Sequence, residues 1–302
     1  MIDVVAAADD AYARPLAGMA RSMFDHVADA GSVRFHVLDA GISPHNRILV
    51  QQSIPETEIL WHSTSLAEYD SFPQWAYISR AAYLRLSIPD VIESDRVIYL
   101  DCDLLIRKDI KQLWDISLHG AAAGAVLDMD CPKVSREYND RMHRLFGAAT
   151  GQSNFNAGVL SLDLVQWRAE ELSSRVKGVI ERFKSTIGMD QDAINLALAG
   201  RIQRFPDEWN VQPELFGDRV RHLSKEECAI LHTDPAIVHF ASPEKPWQSG
   251  SKHPRTQDFR DVLRNTAYSD QPLDQPWKPP TRDRIRWAVR RRLSSLRRRV
   301  RR

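Results

Sequence analysis

Two aspartates stand one residue apart in VIYLDCDLLI, residues 97–106, a stretch otherwise apolar and strand-forming. A carboxylate inside an apolar strand is costly unless it is paired or bound to a metal. Side chains alternate along a strand, so Asp101 and Asp103 share one face and Cys102 takes the other. If the strand ends there, both carboxylates converge on one point, and oxygen ligands of this kind suit Mg2+ or Mn2+ shared with substrate phosphates. The pattern Asp-x-Asp is common, and its other reading is a strand end whose acids are solvated. By residue type alone, His239 in AIVHFAS reads as a satisfied strand-end histidine and Lys245 in EKPW as a solvated loop lysine.

The elements that must position these residues follow from periodicity. IDVVAAADD (2–10), RFHVLDAG (34–41) and EILWHS (58–63) read as three strands. A helix is expected near 15–28, where Leu16, Met19, Met23 and Val27 recur at spacings of three and four, and another after Ser43-Pro44, with proline in its first turn. The pattern continues with a helix near 79–92, strands at 96–101 and 121–129, a strand from 154 and a helix over 169–185. A short helix over 189–200, with Asp190 as N-cap and Gly200 as stop, and a strand over 236–242 complete it. Alternating strands and helices argue for an α/β fold with a mostly parallel, mixed sheet, whose ligand crevice lies outside the carboxyl ends of the strands at a switch in strand order. Asp9, Asp10, Asp39, Asp101, Asp103 and Asp128 all fall at those ends.

The chain has 302 residues, 43% of them hydrophobic and 8% aromatic, which suits one large domain. No window approaches the run of about 18 apolar residues that crosses a membrane, and no basic n-region precedes the first strand, so neither a transmembrane helix nor a secretory signal is expected. Cys102, Cys131 and Cys228 are odd in number and far apart, which argues against a disulfide framework or zinc site and for a reducing compartment. The net charge of +1 conceals an asymmetry: residues 278–302 hold twelve basic residues and one acid, the remainder 29 basic and 39 acidic. Within 281–302, Ile285, Val289, Leu293, Leu296 and Val300 form one apolar stripe among arginines, with Trp287 beside it, the pattern of a helix lying on an anionic membrane surface.

The blocks AAADDAY, FHVLDAGIS, YLRLSIPDVI, RVIYLDCDLLI, LWDI, FNAGVLSLDL, DQDAIN and VHFASPEKPW occur in an order that resembles glycosyltransferase family 8 over residues 1–250. That family comprises retaining, nucleotide-sugar-dependent enzymes, among them glycogenin and bacterial lipopolysaccharide glycosyltransferases, and the likeness is greatest to the lipooligosaccharide galactosyltransferases. The resemblance implies a single Rossmann-like nucleotide-sugar-binding domain of the GT-A type, a UDP-sugar donor and Mn2+ (or Mg2+). It implies Asp101, Asp103 and His239 as metal ligands, Lys245 on the diphosphate, Ala7, Ala8, Asp9 and Tyr12 at the uridine, and Cys102 within the nucleotide-binding segment. Arg85 would lie near the diphosphate and the sugar, and with Asp103, Asn156, Ala157, Gly158, Asp190 and Gln191 would surround the donor sugar, with Asp128, Asp190 and Gln191 nearest the chemistry. Ala11 and Ser242 depart from the family, standing where relatives carry a polar residue and glycine. Local readings compete: Asp9 as a cap, Arg85 paired with Asp90 or another surface acid, Asp190 as a plain N-cap, and Asn156–Gly158 as a turn. Gln191 is a poor nucleophile, so retention is expected through same-face attack by the acceptor within an ion pair.

These expectations amount to a catalytic domain over 1–268, a linker over 269–280 and a basic amphipathic tail over 281–302. The enzyme would transfer hexose from UDP-galactose or UDP-glucose to a lipid-linked glycan of the lipopolysaccharide or lipooligosaccharide kind. It would work in the cytoplasm, peripherally on the inner membrane, with no nucleic-acid partner. A metal-dependent nucleotidyltransferase, a nucleotide-sugar hydrolase, or a non-catalytic protein acting through its tail are the competing readings.

Overall fold

The computed structural model describes residues 1–74, 78–134, 151–184, 187, 189–217, 220 and 222–278. The chain runs β1 (Ile2–Ala8), α1 (Ala13–Phe24), β2 (Val33–Asp39), α2 (Pro44–Ser53), β3 (Ile59–Ser63), α3 (Ile88–Val91), β4 (Arg96–Leu100), β5 (Leu104–Ile106), α4 (Ile110–Trp114) and β6 (Ala123–Leu127). Then follow β7 (Phe155–Asp163), α5 (Leu164–Ala169), α6 (Leu172–Arg182), α7 (Asp190–Ala197), β8 (Ile202–Arg204), α8 (Lys225–Thr233), β9 (Ile237–His239) and α9 (Thr256–Arg264).

A seven-stranded sheet has the order β3-β2-β1-β4-β7-β6-β8. Every neighbouring pair is parallel except those of β7, which runs antiparallel to β4 and β6. The mostly parallel, mixed α/β sheet expected from the sequence is therefore present. β1 shows why both faces are covered: Val4, Ala6 and Ala8 pack with Leu16, Met19 and Met23 of α1, while Val5 and Ala7 pack on the opposite face with Tyr83, Leu84 and Tyr99. Period-two apolar residues on both sides define a strand buried between two helical layers. β5 and β9 form a separate antiparallel pair.

Several boundaries differ from the sequence reading. The helix expected near 79–92 is a 3-10 helix over Arg80–Ser87 followed by the single turn α3. Pro89 has no N–H to give the Arg85 carbonyl, so an α-helical ladder cannot run through it. In place of one helix over 169–185 there are α5, opened by Asp163 accepting from the Gln166 N–H, and α6, separated from it at Glu171 with φ 52°. Asp190 is not an N-cap: Met189 holds that position at φ 121°, and Asp190 lies in the first turn.

Residues 269–274 are exposed yet tethered to the body. The Arg14 guanidinium donates to the Pro272 carbonyl at 2.7 Å and pairs with Asp274 at 2.9 Å. The tail over 281–302 lies outside the described residues.

Candidate functional site

The sheet order reverses between β1 and β4, and a cavity of about 400 Å³ opens at their carboxyl ends. Ala7, Ala8 and Tyr12 wall it on the β1 side, and Arg85 enters from the 3-10 helix. Asp101, Cys102 and Asp103 come from the β4–β5 connection, Asp128 from beyond β6, and Asn156, Ala157 and Gly158 from β7. Asp190 and Gln191 open α7, His239 closes β9, and Lys245 follows it. Asn156–Gly158 is thus strand rather than turn.

Asp9 is not among the cavity's lining residues. It caps the short helix after β1, accepting from the Tyr12 N–H at 3.2 Å, and its other oxygen accepts from the Ser79 hydroxyl. Asp10 and Asp39 are also committed elsewhere. Asp10 accepts from Ser43 N–H (2.7 Å) and Asn46 Nδ2 (2.8 Å), while Asp39 accepts from Gly41 and Ile42 N–H and pairs with Arg47.

Because β4 ends at Leu100, the paired acids converge through the turn into β5 and not through strand pleat. Ligand atoms of Asp101, Asp103 and His239 all lie within 4.8 Å of one another. His239 Nε2 is 3.3 Å from Asp103 Oδ1 and 3.9 Å from Asp101 Oδ2. Cys102 turns away, its thiol 3.3 Å from the Ala7 carbonyl, and burial pushes that thiol's pKa well up, leaving it an inert packing group. Lys245 Nζ is 2.5 Å from Asp103 Oδ2 and donates to the Phe240 carbonyl at 2.8 Å. Burial alone would raise the Asp103 pKa, but the Lys245 ammonium, with the His239 imidazole beside it, overcomes it and holds the carboxyl well below the usual range.

Arg85 is buried, not paired with Asp90. Its guanidinium lies 2.9 Å from Asp101 Oδ1 and 2.8 Å from Asp190 Oδ2, donates to the Ala157 carbonyl, and stacks over the Tyr99 ring at 4.5 Å. Tyr99 Oη in turn donates to Asp101 Oδ1 at 2.8 Å. Across the cavity Gln191 Nε2 donates to Asp128 Oδ2 at 2.8 Å, and Asp128 also accepts from the Asp130 and Cys131 N–H groups. Burial pushes the Asp128 and Asp190 carboxyls upward.

The donor set fits a divalent cation. Two carboxylates and an imidazole converge, and among the described residues Asp101, Asp103, Asp128, Asp130, Asp190, Asp192 and Glu214 line the cavity against Arg85 and Lys245.

The family model for glycosyl transferase family 8 matches residues 3–251. The chain belongs to glycosyltransferase family 8. General stress protein A of Bacillus subtilis is 30% identical over 283 residues, covering 89% of this chain and 95% of that protein. The lipopolysaccharide 1,3-galactosyltransferase of Salmonella typhimurium is 25% identical over 229 residues, 74% of this chain and 64% of its own length. The crystal structure of galactosyltransferase LgtC with donor and acceptor sugar analogues superposes with a TM-score of 0.75 at 28% identity, covering 94% of this chain and 99% of that one. The family 8 chain thus has the GT-A type of fold seen in LgtC.

Sequence reasoning missed Tyr99 and Asn210. Tyr99 had a signal, since a strand places it on the side of Asp101, two residues on. Asn210 had none: it lies in a 3-10 helix over Asp207–Asn210 and reaches His239 only through tertiary folding.

Proposed function

We propose that this family 8 enzyme is a retaining, metal-dependent hexosyltransferase that moves galactose or glucose from a UDP-sugar to a glycan acceptor of the lipopolysaccharide or lipooligosaccharide kind. One observation carries the reading: a strongly acidic cavity whose paired aspartates and His239 converge beside a buried lysine. A diphosphate would be repelled from such a rim unless a cation entered with it. Relatives named for lipopolysaccharide glucosyl and galactosyl transfer support the sugar class and the acceptor.

In this reading Asp101, Asp103 and His239 would hold Mn2+, or Mg2+, which would supply positive charge to offset that of the leaving diphosphate. Lys245 adds a point charge on the same side, so the UDP leaving group needs no proton from a carboxylic acid. Ala7 and Ala8 let the nucleoside approach the backbone closely, and Tyr12 offers a ring beside it. Asn156, the Ala157–Gly158 backbone, Asp190 and Gln191 meet sugar hydroxyls with directional donors and acceptors. Asp190 shares its charge with Arg85 at 2.8 Å, which makes it a weak nucleophile. Gln191, an amide, is weaker still. Both therefore position and stabilise the sugar while the acceptor attacks from the face the diphosphate leaves.

The basic tail, residues 281–302, places the enzyme on the anionic cytoplasmic face of the inner membrane, near lipid-linked acceptors. Incubation with Mn2+ and a panel of UDP-sugars, measuring UDP release with and without lipopolysaccharide acceptors, tests the function. Turnover should vanish in Asp103→Ala and with chelator. Activity that survives Asp103→Ala, with only thermal stability reduced, would refute the metal assignment.

A further inference from the structure

A row of side-chain amides crosses the floor of the cavity from its sugar side to its metal side. Gln191 Nε2 donates to Asp128 at 2.8 Å, Asn156 Nδ2 to Gln191 Oε1 at 3.1 Å, and Asn210 Nδ2 to Asn156 Oδ1 at 2.9 Å. Asn210 Oδ1 then lies 2.9 Å from His239 Nδ1. Which end of an amide is oxygen follows from its partners. Here two backbone groups decide it: the Ala157 N–H donates to Gln191 Oε1 at 3.1 Å and the Gly158 N–H to Asn156 Oδ1 at 2.9 Å. Neither N–H can accept, so both of those ends must be oxygen. Asn156, so oriented, requires Asn210 to present its NH2 and leaves the Asn210 oxygen facing His239. That oxygen can only accept, so neutral His239 carries its proton on Nδ1. Nε2, with its lone pair, is the atom that faces Asp103 and Asp101.

Asn210 is fully buried and its segment is joined to the strand bearing His239. Val211 N–H donates to the Ile237 carbonyl and His239 N–H to the Val211 carbonyl, each at 2.9 Å. The amide and the imidazole therefore move as one unit.

We propose that Asn210 is a positioning residue for the transfer reaction. It holds His239 in the tautomer a metal ligand needs and, through Asn156, links the metal side of the cavity to Gln191 on the sugar side. This rests on the metal-dependent reading above. Partners of this kind orient ligating imidazoles, and their removal weakens metal binding about 10–100-fold.

Two variants of the full-length chain separate the roles. Asn210→Ala removes both bonds and should weaken Mn2+ binding at least ~10-fold, read by electron paramagnetic resonance of free Mn2+ with no nucleotide present. Asn210→Asp still accepts from His239 but cannot donate to Asn156. It should keep Mn2+ affinity within about 3-fold while kcat for sugar transfer falls ~10-fold or more at little-changed donor KM. Melting temperatures report folding for each variant; a merely structural asparagine would lower them without producing this split. Wild-type Mn2+ affinity in Asn210→Ala, full kcat in Asn210→Asp, or equal loss of Mn2+ affinity in both overturns the assignment while leaving the metal reading intact. Absence of Mn2+ binding by the wild type would overturn both.

Discussion

Gly158 shows how narrowly the candidate metal seat is drawn. It sits in β7 with an ordinary backbone, so its lack of a side chain answers a need for space and not for a left-handed turn. A Cβ there would lie 2.2 Å from His239 Cε1, 2.8 Å from its Nδ1 and 3.0 Å from Asp101 Oδ2. These atoms are held on their far sides, the ring by Asn210 and the carboxylate by Arg85 and Tyr99, so they cannot yield cheaply. Gly158→Ala should therefore weaken Mn2+ binding at least ~10-fold, as loss of ligand placement does. Isothermal titration with Mn2+ checks this, and unchanged affinity would show that the imidazole is freer than its contacts indicate. Arg85 illustrates a different limit of sequence reading. Its type suggested a surface ion pair, yet it is 4% exposed and in contact with groups from the β4–β5 connection, β7 and α7, partners that spacing in the chain does not reveal.

At the scale of elements, the segment between β9 and α9 that carries Lys245 is fixed by an aromatic cluster. Trp247 packs edge-on to Tyr12 at 6.0 Å and tilted on Phe259 at 5.6 Å, and the His253 ring sits 4.7 Å from both Phe216 and Phe240. His253 Nδ1 accepts from the Arg255 N–H, and burial pushes the ring's pKa down to about 4 from 6.5. The folded state thus resists a proton that the unfolded chain accepts. Nothing is lost above pH 6.5, and stability falls as pH drops from 6.5 toward 4, on the order of 2 kcal/mol by pH 5. Thermal melts of the wild type and His253→Phe across this range test it: the difference should shift in the variant's favour as pH falls. A difference that stays constant with pH would remove His253 from the account. The loop composition of PEKPWQSGSKHPR was plain in the sequence, but its anchoring was not, because the rings that clamp it come from the turn before α1, from α9 and from the segment before α8.

On the scale of the whole molecule, an acidic body is joined to a strongly basic end. Among the described residues no helix is long and apolar enough to cross a membrane. The proposed attachment through the arginine-rich tail is electrostatic and interfacial, each arginine near an anionic surface contributing about 1 kcal/mol. Full-length protein should sediment with vesicles containing anionic lipid and leave them at high salt, while a chain ending at residue 280 should stay in the supernatant. The shortened chain should still release UDP with a soluble acceptor. Co-sedimentation of both proteins alike would refute the role of the tail.

The order of strands and helices, the stripe of α1 and the Asp-x-Asp at the end of β4 were determined by local sequence. Each depends on periodicity or on residues a few positions apart. Six aspartates at strand ends looked alike at that level. Only the tertiary structure decided among them, drawing Asp9, Asp10 and Asp39 into caps, turns and an ion pair while Asp101, Asp103 and Asp128 face the cavity. It also supplied Asn210, because hydrogen-bond direction through a buried amide row is a property of packed neighbours and has no spacing rule along the chain. The physical reason is common to both: a carboxylate or amide takes its role from the donors and acceptors that folding brings to it.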